Sequence, residues 1–310
     1  MQKRLPKFRR EPSQIATPAM TELDLDIVRA IHDYPFLATS ELARVLSRKP
    51  KGIARNLQPL YHHNRVSRFS FARSGSSQFH YYLDQVATLQ LLAARRGVSP
   101  EELDFESVRR NREKAYDGPE GTDQGHGLFL RHEVMVSSFH AMLEVACRDT
   151  GGGVELETWR QGPELWSTVE AADASGQVVK LPHRPDAFFT LRFPREPEDR
   201  SRAHFFYEAD RKTTNTTKFR RKLRAHWEFI VGQRKHQTKY GIHRIRAVLV
   251  ETLDASWAQQ LRNAARDGGV SGNQPSPLFW FTTSEFADPT MILKPVWASP
   301  VNDQLLSLAD

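Results

Sequence analysis

The 310-residue chain has one cysteine, Cys147, which excludes an internal disulfide and any cysteine-built zinc site. It has no apolar run long enough to cross a bilayer, so no membrane partner is expected. The stretch from Met1 to Glu11 is basic but lacks the apolar core of a signal peptide, and a cytoplasmic location is the expectation. No glycine-rich phosphate loop follows a strand pattern, which removes the common route to nucleotide hydrolysis. Histidines are scattered: His62, His63, His132 and His140 lack partners at metal-ligand spacing and read as core or surface residues. One segment is poor in acids. From Arg211 to Tyr240 only Glu228 opposes Arg211, Lys212, Lys218, Arg220, Arg221, Lys222, Arg224, Arg234, Lys235 and Lys239. Such a run is either a solvated helix face or a phosphate-facing surface, and its self-repulsion favours the second.

What is present is an ordinary globular composition, 39% hydrophobic and 26% charged, with a formal net charge of +7 and enough length for two cores. Residues 1–20 read as a flexible basic arm. Over 21–84, Leu23, Leu25, Ile27, Val28 and Ile31 recur at helical spacing. A second helix follows from Ser40, with Thr39 as its cap, and a third begins at Pro50. Pro59 should kink that third helix. Two short alternating runs separated by Arg73-Ser-Gly-Ser-Ser77 predict a hairpin. Three helices and a hairpin are the order of an α+β winged helix-turn-helix domain, a module that binds double-stranded DNA or other proteins. Its third helix carries Lys51, Arg55, Asn56 and Gln58 outward, and Arg68 and Arg73 could set the wing on the phosphate backbone.

Residues 85–127 read as a helical connector and possible dimerisation element, with a capping box at Ser99-Pro100-Glu101-Glu102 and a linker composition over 117–127. The second domain, 128–310, opens with a helix to about Arg148. Strands are expected near 154–160, 178–181, 186–193 and 204–210, then a helix over 216–232, a strand to Thr252, a helix capped by Asp254 and a last strand at 278–283. That order is α/β with a mixed central sheet.

The acids of this domain are its candidate chemistry. Asp186 opens the run Ala187-Phe188-Phe189-Thr190-Leu191, and Glu208-Ala-Asp210-Arg-Lys212 closes another. If that strand continues far enough, Glu208, Asp210 and Lys212 share one face, about 6–7 Å apart. Two carboxylates about 4 Å apart repel by about 4 kcal/mol at an effective dielectric near 20. Gathering Asp186, Glu208 and Asp210 therefore calls for a cation. Magnesium held by these acids would polarise a phosphodiester, and Lys212 would stabilise the charge that builds there. Ion pairs with Arg184, Arg211 and the basic helix, where Lys218, Arg221 and Lys222 are candidate DNA contacts, are the alternative. Glu133 and Glu157 are candidate outer acids.

Pro185-Asp186 followed by Asp210-Arg211-Lys212 resembles the PD-(D/E)XK nuclease superfamily, in which an Asp and an acid-x-Lys lie on adjacent central strands of a restriction-endonuclease-like fold. If Glu208 is the acid, Asp210 stands where the lysine belongs, and Lys218 or Lys222 from the next helix could replace it. The chain over about 21–285 also resembles the bacterial replication-relaxation family. That likeness rests on the winged helix, Leu130-Arg-His-Glu133, Arg184-Pro-Asp-Ala187, Tyr207-Glu-Ala-Asp-Arg211-Lys-Thr-Thr214 and Lys222-Leu223. It implies an accessory role in replication control or transfer of a plasmid or mobile element. The nuclease resemblance implies a magnesium-dependent DNA endonuclease. A regulator without catalysis, or a scaffold recruiting a plasmid replication or transfer enzyme, is the other expectation.

Overall fold

The computed structural model describes residues 6–7, 9–71, 78–116, 126–173, 175–212, 215–266, 268–272, 274–286 and 288–309. The chain forms two compact units, Met1–Ala141 and Met142–Asp310.

In the first unit, helix α1 (Glu22–Asp33) starts on a reciprocal cap. Thr21 Oγ1 accepts the Asp24 N–H at 3.3 Å, and the Asp24 carboxylate accepts the Thr21 N–H at 2.9 Å. Helix α2 (Thr39–Val45) begins one residue earlier than expected. The Glu41 carboxylate takes the Ala38 N–H at 2.7 Å, so Ala38, not Thr39, holds the cap position. Helix α3 (Pro50–His62) runs unbroken through Pro59, because Ile53, Leu57 and Leu60 are fully buried and their packing outweighs one missing backbone bond. Strands β1 (Ser67–Phe69) and β2 (His80–Tyr82) pair antiparallel, and Ala38 bridges His80. Residues 72–77, including Arg73, lie outside the described residues.

Helix α4 (Val86–Arg96) follows. The expected helix start at Ser99 yields only a 3-10 turn, Pro100–Glu102. Helix α5 (Phe105–Tyr116) starts at Asp104 instead, whose carboxylate accepts the Ser107 N–H at 3.0 Å. Helix α6 (His126–Asp149) carries the division between the units, away from the expected boundary at 117–127. The reason is packing. Leu130 joins Phe36 and Tyr82 in one apolar cluster, and the Ser138 hydroxyl donates to Glu41 at 2.5 Å.

The second unit is built on a seven-stranded mixed sheet. Strands β3 (Glu155–Arg160), β6 (Ala187–Arg192) and β7 (Arg202–Asp210) are antiparallel neighbours. Strands β8 (Ala247–Thr252) and β9 (Phe279–Thr283) continue parallel to β7, and β10 (Trp297–Ala298) and β11 (Leu305–Leu306) close the edge antiparallel. Strand β4 (Ser167–Ala172), which the sequence hid as a polar turn, pairs with β5 (Val178–His183) in a separate two-stranded sheet. Every residue of β8 and β9 is buried, the signature of parallel strands covered on both faces. Helix α7 (Thr216–Trp227) continues as a π-helical turn, Glu228–Gly232, and short helix α8 (Lys235–Tyr240) follows. Helix α9 (Ala255–Arg266) is capped by Asp254, which accepts the Trp257 N–H at 2.8 Å. Phe219 and Leu223 of α7 and Trp257 and Leu261 of α9 share a core with Phe206, Val248, Val250 and Phe281 of the sheet. Alternation then puts Glu208 on that same helix-covered face.

Asp24 is 4% exposed and also accepts from Asn56 Nδ2 at 2.8 Å. Asn56→Ala removes a donor from a buried carboxylate. We expect a loss of about 1–3 kcal/mol in the unfolding of the first unit, read from urea titration by circular dichroism. An unchanged midpoint would show that Asp24 does not depend on Asn56.

Candidate functional site

Asp186 precedes β6. Its N–H donates to the Tyr207 carbonyl at 3.1 Å, and its Oδ2 accepts the Ala209 N–H at 2.9 Å, so the carboxylate is fixed against β7. Glu208 is the next inward residue, 1% exposed among apolar neighbours. Helix α7 crosses over it, started by the Asn215 side chain, which accepts the Lys218 N–H at 2.9 Å. Lys222 and His226, one helical turn apart, both reach Glu208. The Lys222 ammonium contacts Glu208 Oε2 directly and lies 3.8 Å from Asp186 Oδ2, while His226 Nε2 lies 2.5 Å from Glu208 Oε1. The structure thus brings together Asp186, Glu208 and Lys222.

Asp210 and Lys212 go elsewhere. Strand β7 ends at Asp210, and Lys212 adopts a left-handed conformation, φ +59°, so the alternation that would align it with Glu208 stops. Asp210 Oδ1 accepts the Trp257 indole N–H at 2.7 Å and the Lys212 backbone N–H at 2.8 Å. The Lys212 ammonium turns to Asp254 Oδ2 at 3.6 Å. The literal acid-x-Lys spacing of the sequence is therefore not a spatial cluster. The lysine that meets the acids comes from α7.

Sequence reasoning missed two histidines. His183, at the end of β5, places Nε2 3.0 Å from His226 Nδ1 and stacks on Phe229 at 4.0 Å. Burial lowers His183 to about 3 and pushes His226 well below the histidine range, so both are neutral. His183 Nδ1 is buried without a hydrogen-bond partner among the described residues. An unmatched lone pair is tolerated better than an unmatched N–H, which selects one tautomer chain. His183 Nε2–H donates to His226 Nδ1, and His226 Nε2–H donates to Glu208. The only advance signal was the i, i+4 spacing of Lys222 and His226.

Burial pushes Glu208 well above the carboxylate range, with Lys222 pulling against it. Burial likewise opposes the Lys222 charge, but Asp186 and Glu208 outweigh it and hold the ammonium above its usual range. Among the described residues no group of three or more His, Cys, Asp or Glu side chains is gathered for a metal. The three-acid set Asp186, Glu208 and Asp210 does not form. Two carboxylates, Asp186 and Glu208, remain. Of these, Glu208 already meets Lys222 and His226, while Asp186 is the more open of the two.

The remaining candidates divide. Lys51, Arg55 and Gln58 are exposed on α3, whereas the Asn56 amide is held by Asp24. Arg68 donates to the Lys7 carbonyl at 2.6 Å and lies over the Tyr61 and Phe79 rings, at 3.8 and 4.1 Å from their centroids. Lys218 and Arg221 are exposed on α7, in line with Lys222. Lys235 and Lys239 serve the fold, donating to the Thr168 and Trp166 carbonyls at 2.7 and 2.9 Å. Glu133 pairs with Lys114, and Glu157 with Arg202 at 2.9 Å, so neither is an outer acid of the cluster.

Residues 28–245, more than half of the chain, match the replication-relaxation family. The chain belongs to that family. No curated protein and no solved structure matches it. In this replication-relaxation protein the matched span runs from the middle of α1 through α8, and it includes Asp186, Glu208, Lys222 and His226.

Lys222→Met should destabilise the second unit by about 2 kcal/mol at neutral pH, below the roughly 3–5 expected for a fully buried pair because Lys222 is partly open to solvent. Without the ammonium less offsets burial, so the folded-state pKa of Glu208 rises further above its unfolded value. The variant is then closest to wild type below pH ~4 and falls away as pH rises through the folded pKa. Urea titrations across pH check this; a pH-independent deficit would contradict it.

Proposed function

We propose that this chain is a DNA-binding accessory protein of a plasmid or mobile element, acting in replication control or transfer, and that its second unit is a PD-(D/E)XK-type nuclease module. The observation that carries this reading is the meeting of Asp186, Glu208 and Lys222 where β6, β7 and α7 converge. The order of α6, β3, β6, β7, α7 and β8 supports it, as does membership of the replication-relaxation family. In the first unit, three helices and the β1–β2 hairpin support a winged helix, with Lys51, Arg55 and Gln58 of α3 facing double-stranded DNA.

The site residues have distinct tasks. Lys218 and Arg221 draw the phosphate backbone along α7 toward Lys222. The Lys222 ammonium stabilises negative charge on the scissile phosphate. Asp186, the more open acid, faces the reacting group, while Glu208 holds Lys222 in place and is itself oriented by His226. Magnesium held by Asp186 and Glu208 would supply a Lewis acid and an activated water when bound. A second reading, a non-catalytic regulator or a scaffold for a replication or transfer enzyme, is favoured by the burial of Glu208, whose two oxygens are already engaged by His226 and Lys222.

The test is incubation of supercoiled and linear DNA with wild type, Asp186→Asn and Lys222→Ala, with magnesium or manganese and with chelator. A nuclease nicks only with metal, and each substitution lowers the rate at least about 100-fold. Binding without cleavage, with log affinity falling by about 0.9 per phosphate per log unit of salt, establishes the regulator. A flat salt response removes both readings.

A further inference from the structure

The approach to the acid–lysine cluster carries an aromatic feature that neither the fold nor the proposed chemistry uses. Trp166 precedes β4 and is 47% exposed, the largest side chain left so open among the described residues. The pairing of Ser167 with His183 sets Trp166 beside Arg184 at the end of the β4–β5 hairpin. The Arg184 guanidinium lies 4.8 Å from the indole centroid, and Arg184 is itself exposed. The chain then runs Arg184-Pro185-Asp186, so the Arg184 backbone lies two residues, at most about 7 Å, from that of Asp186, the first acid of the site.

This corner is held rigidly. Carbonyls of Trp166, Thr168 and Glu170, on the open edge of β4, accept from Lys239 at 2.9 Å, Lys235 at 2.7 Å and Gln233 at 2.6 Å. Three alternate carbonyls of an edge strand are thereby satisfied by side chains, which keeps the edge from pairing with another strand. The same contacts fix the backbone that presents the indole. Arg184 and Lys239 thus stand at an open aromatic face, with the acid Glu164 two residues away in sequence. That combination recurs where single-stranded nucleic acid is held: flat rings stack on bases of any sequence while cations meet the backbone.

We propose that Trp166, steadied by Arg184, is a stacking station for an unpaired DNA base beside the Asp186–Glu208–Lys222 site. The substrate class is then DNA with a melted or single-stranded segment, not uninterrupted duplex. The inference rests on the DNA-processing reading above and narrows it. A duplex hides its base faces in its own stack, so only an unpaired nucleotide can cover the indole.

The experiment is fluorescence anisotropy with the full-length chain, a labelled thymidine oligonucleotide of about 15 nucleotides, and a duplex of the same length. Trp166→Ala should weaken single-strand binding about tenfold while duplex binding stays within about twofold, and Trp166→Phe should restore most of the loss. The carbonyl that accepts from Lys239 belongs to the backbone and survives both substitutions. Unchanged single-strand binding in Trp166→Ala overturns the station and leaves the indole as a protein-contact residue. Equal weakening on both DNA forms overturns it in favour of a general DNA surface. If wild type binds neither form, the DNA reading falls with it. If wild type binds and nicks DNA but Trp166→Ala changes nothing, the stacking station alone is lost.

Discussion

The second unit depends on how one buried carboxylate is neutralised. Glu208 sits on a central strand, on the face covered by α7 and α9, where an unpaired charge would be too costly to keep. Its partners come from α7: an ammonium from Lys222 and an imidazole N–H from His226. The helix therefore cannot slide or rotate without breaking both. Phe219 and Leu223 supply the apolar side of the same attachment. Chemistry and packing use one helix, which is why the acid–lysine pair is set with so little slack.

A second buried acid lies on the opposite face of the sheet and shows the contrast. Glu251 accepts the Tyr207 hydroxyl at 2.6 Å and is raised to about 7 by burial, with hydrogen bonds from Tyr207 and Ser284 pulling against it. It can be buried as a neutral acid. Glu208 is also pushed up by burial, but there an ammonium, Lys222, pulls against it. Two carboxylates on adjacent central strands are thus both raised by burial and differ in what opposes it, an ammonium at Glu208 and hydroxyl donors at Glu251.

The basic run from Arg211 to Tyr240 likewise separates into different tasks. Lys235 and Lys239 close the β4 edge, Lys212 meets Asp254, and Lys222 enters the acid cluster. Lys218 and Arg221 remain exposed on α7 as candidates for phosphate. A run that reads as one uniform surface in the sequence is distributed by helical periodicity and by the π-helical turn that follows His226.

Much of this was legible beforehand. Periodicity located α1, α3, α6 and α7, and short apolar runs located β6, β7 and β8, because those patterns reflect burial of one or both faces. Strand β4 was missed because only Val169 and Ala171 point inward and its edge is closed by distant lysines. The helix at Ser99 was misplaced because a local capping signal lost to Asp104 a few residues on. Within the candidate site, Asp186 and Glu208 could be named from sequence as acids at strand ends. Lys222 could be named only as one of two options, and His183 and His226 not at all. By itself the sequence determined which residues could carry charge and which stripes must be buried, since both follow from side-chain chemistry and local period. Only the tertiary structure decided that Lys222, not Lys212, meets the acids, because that depends on where β7 ends and how α7 crosses the sheet.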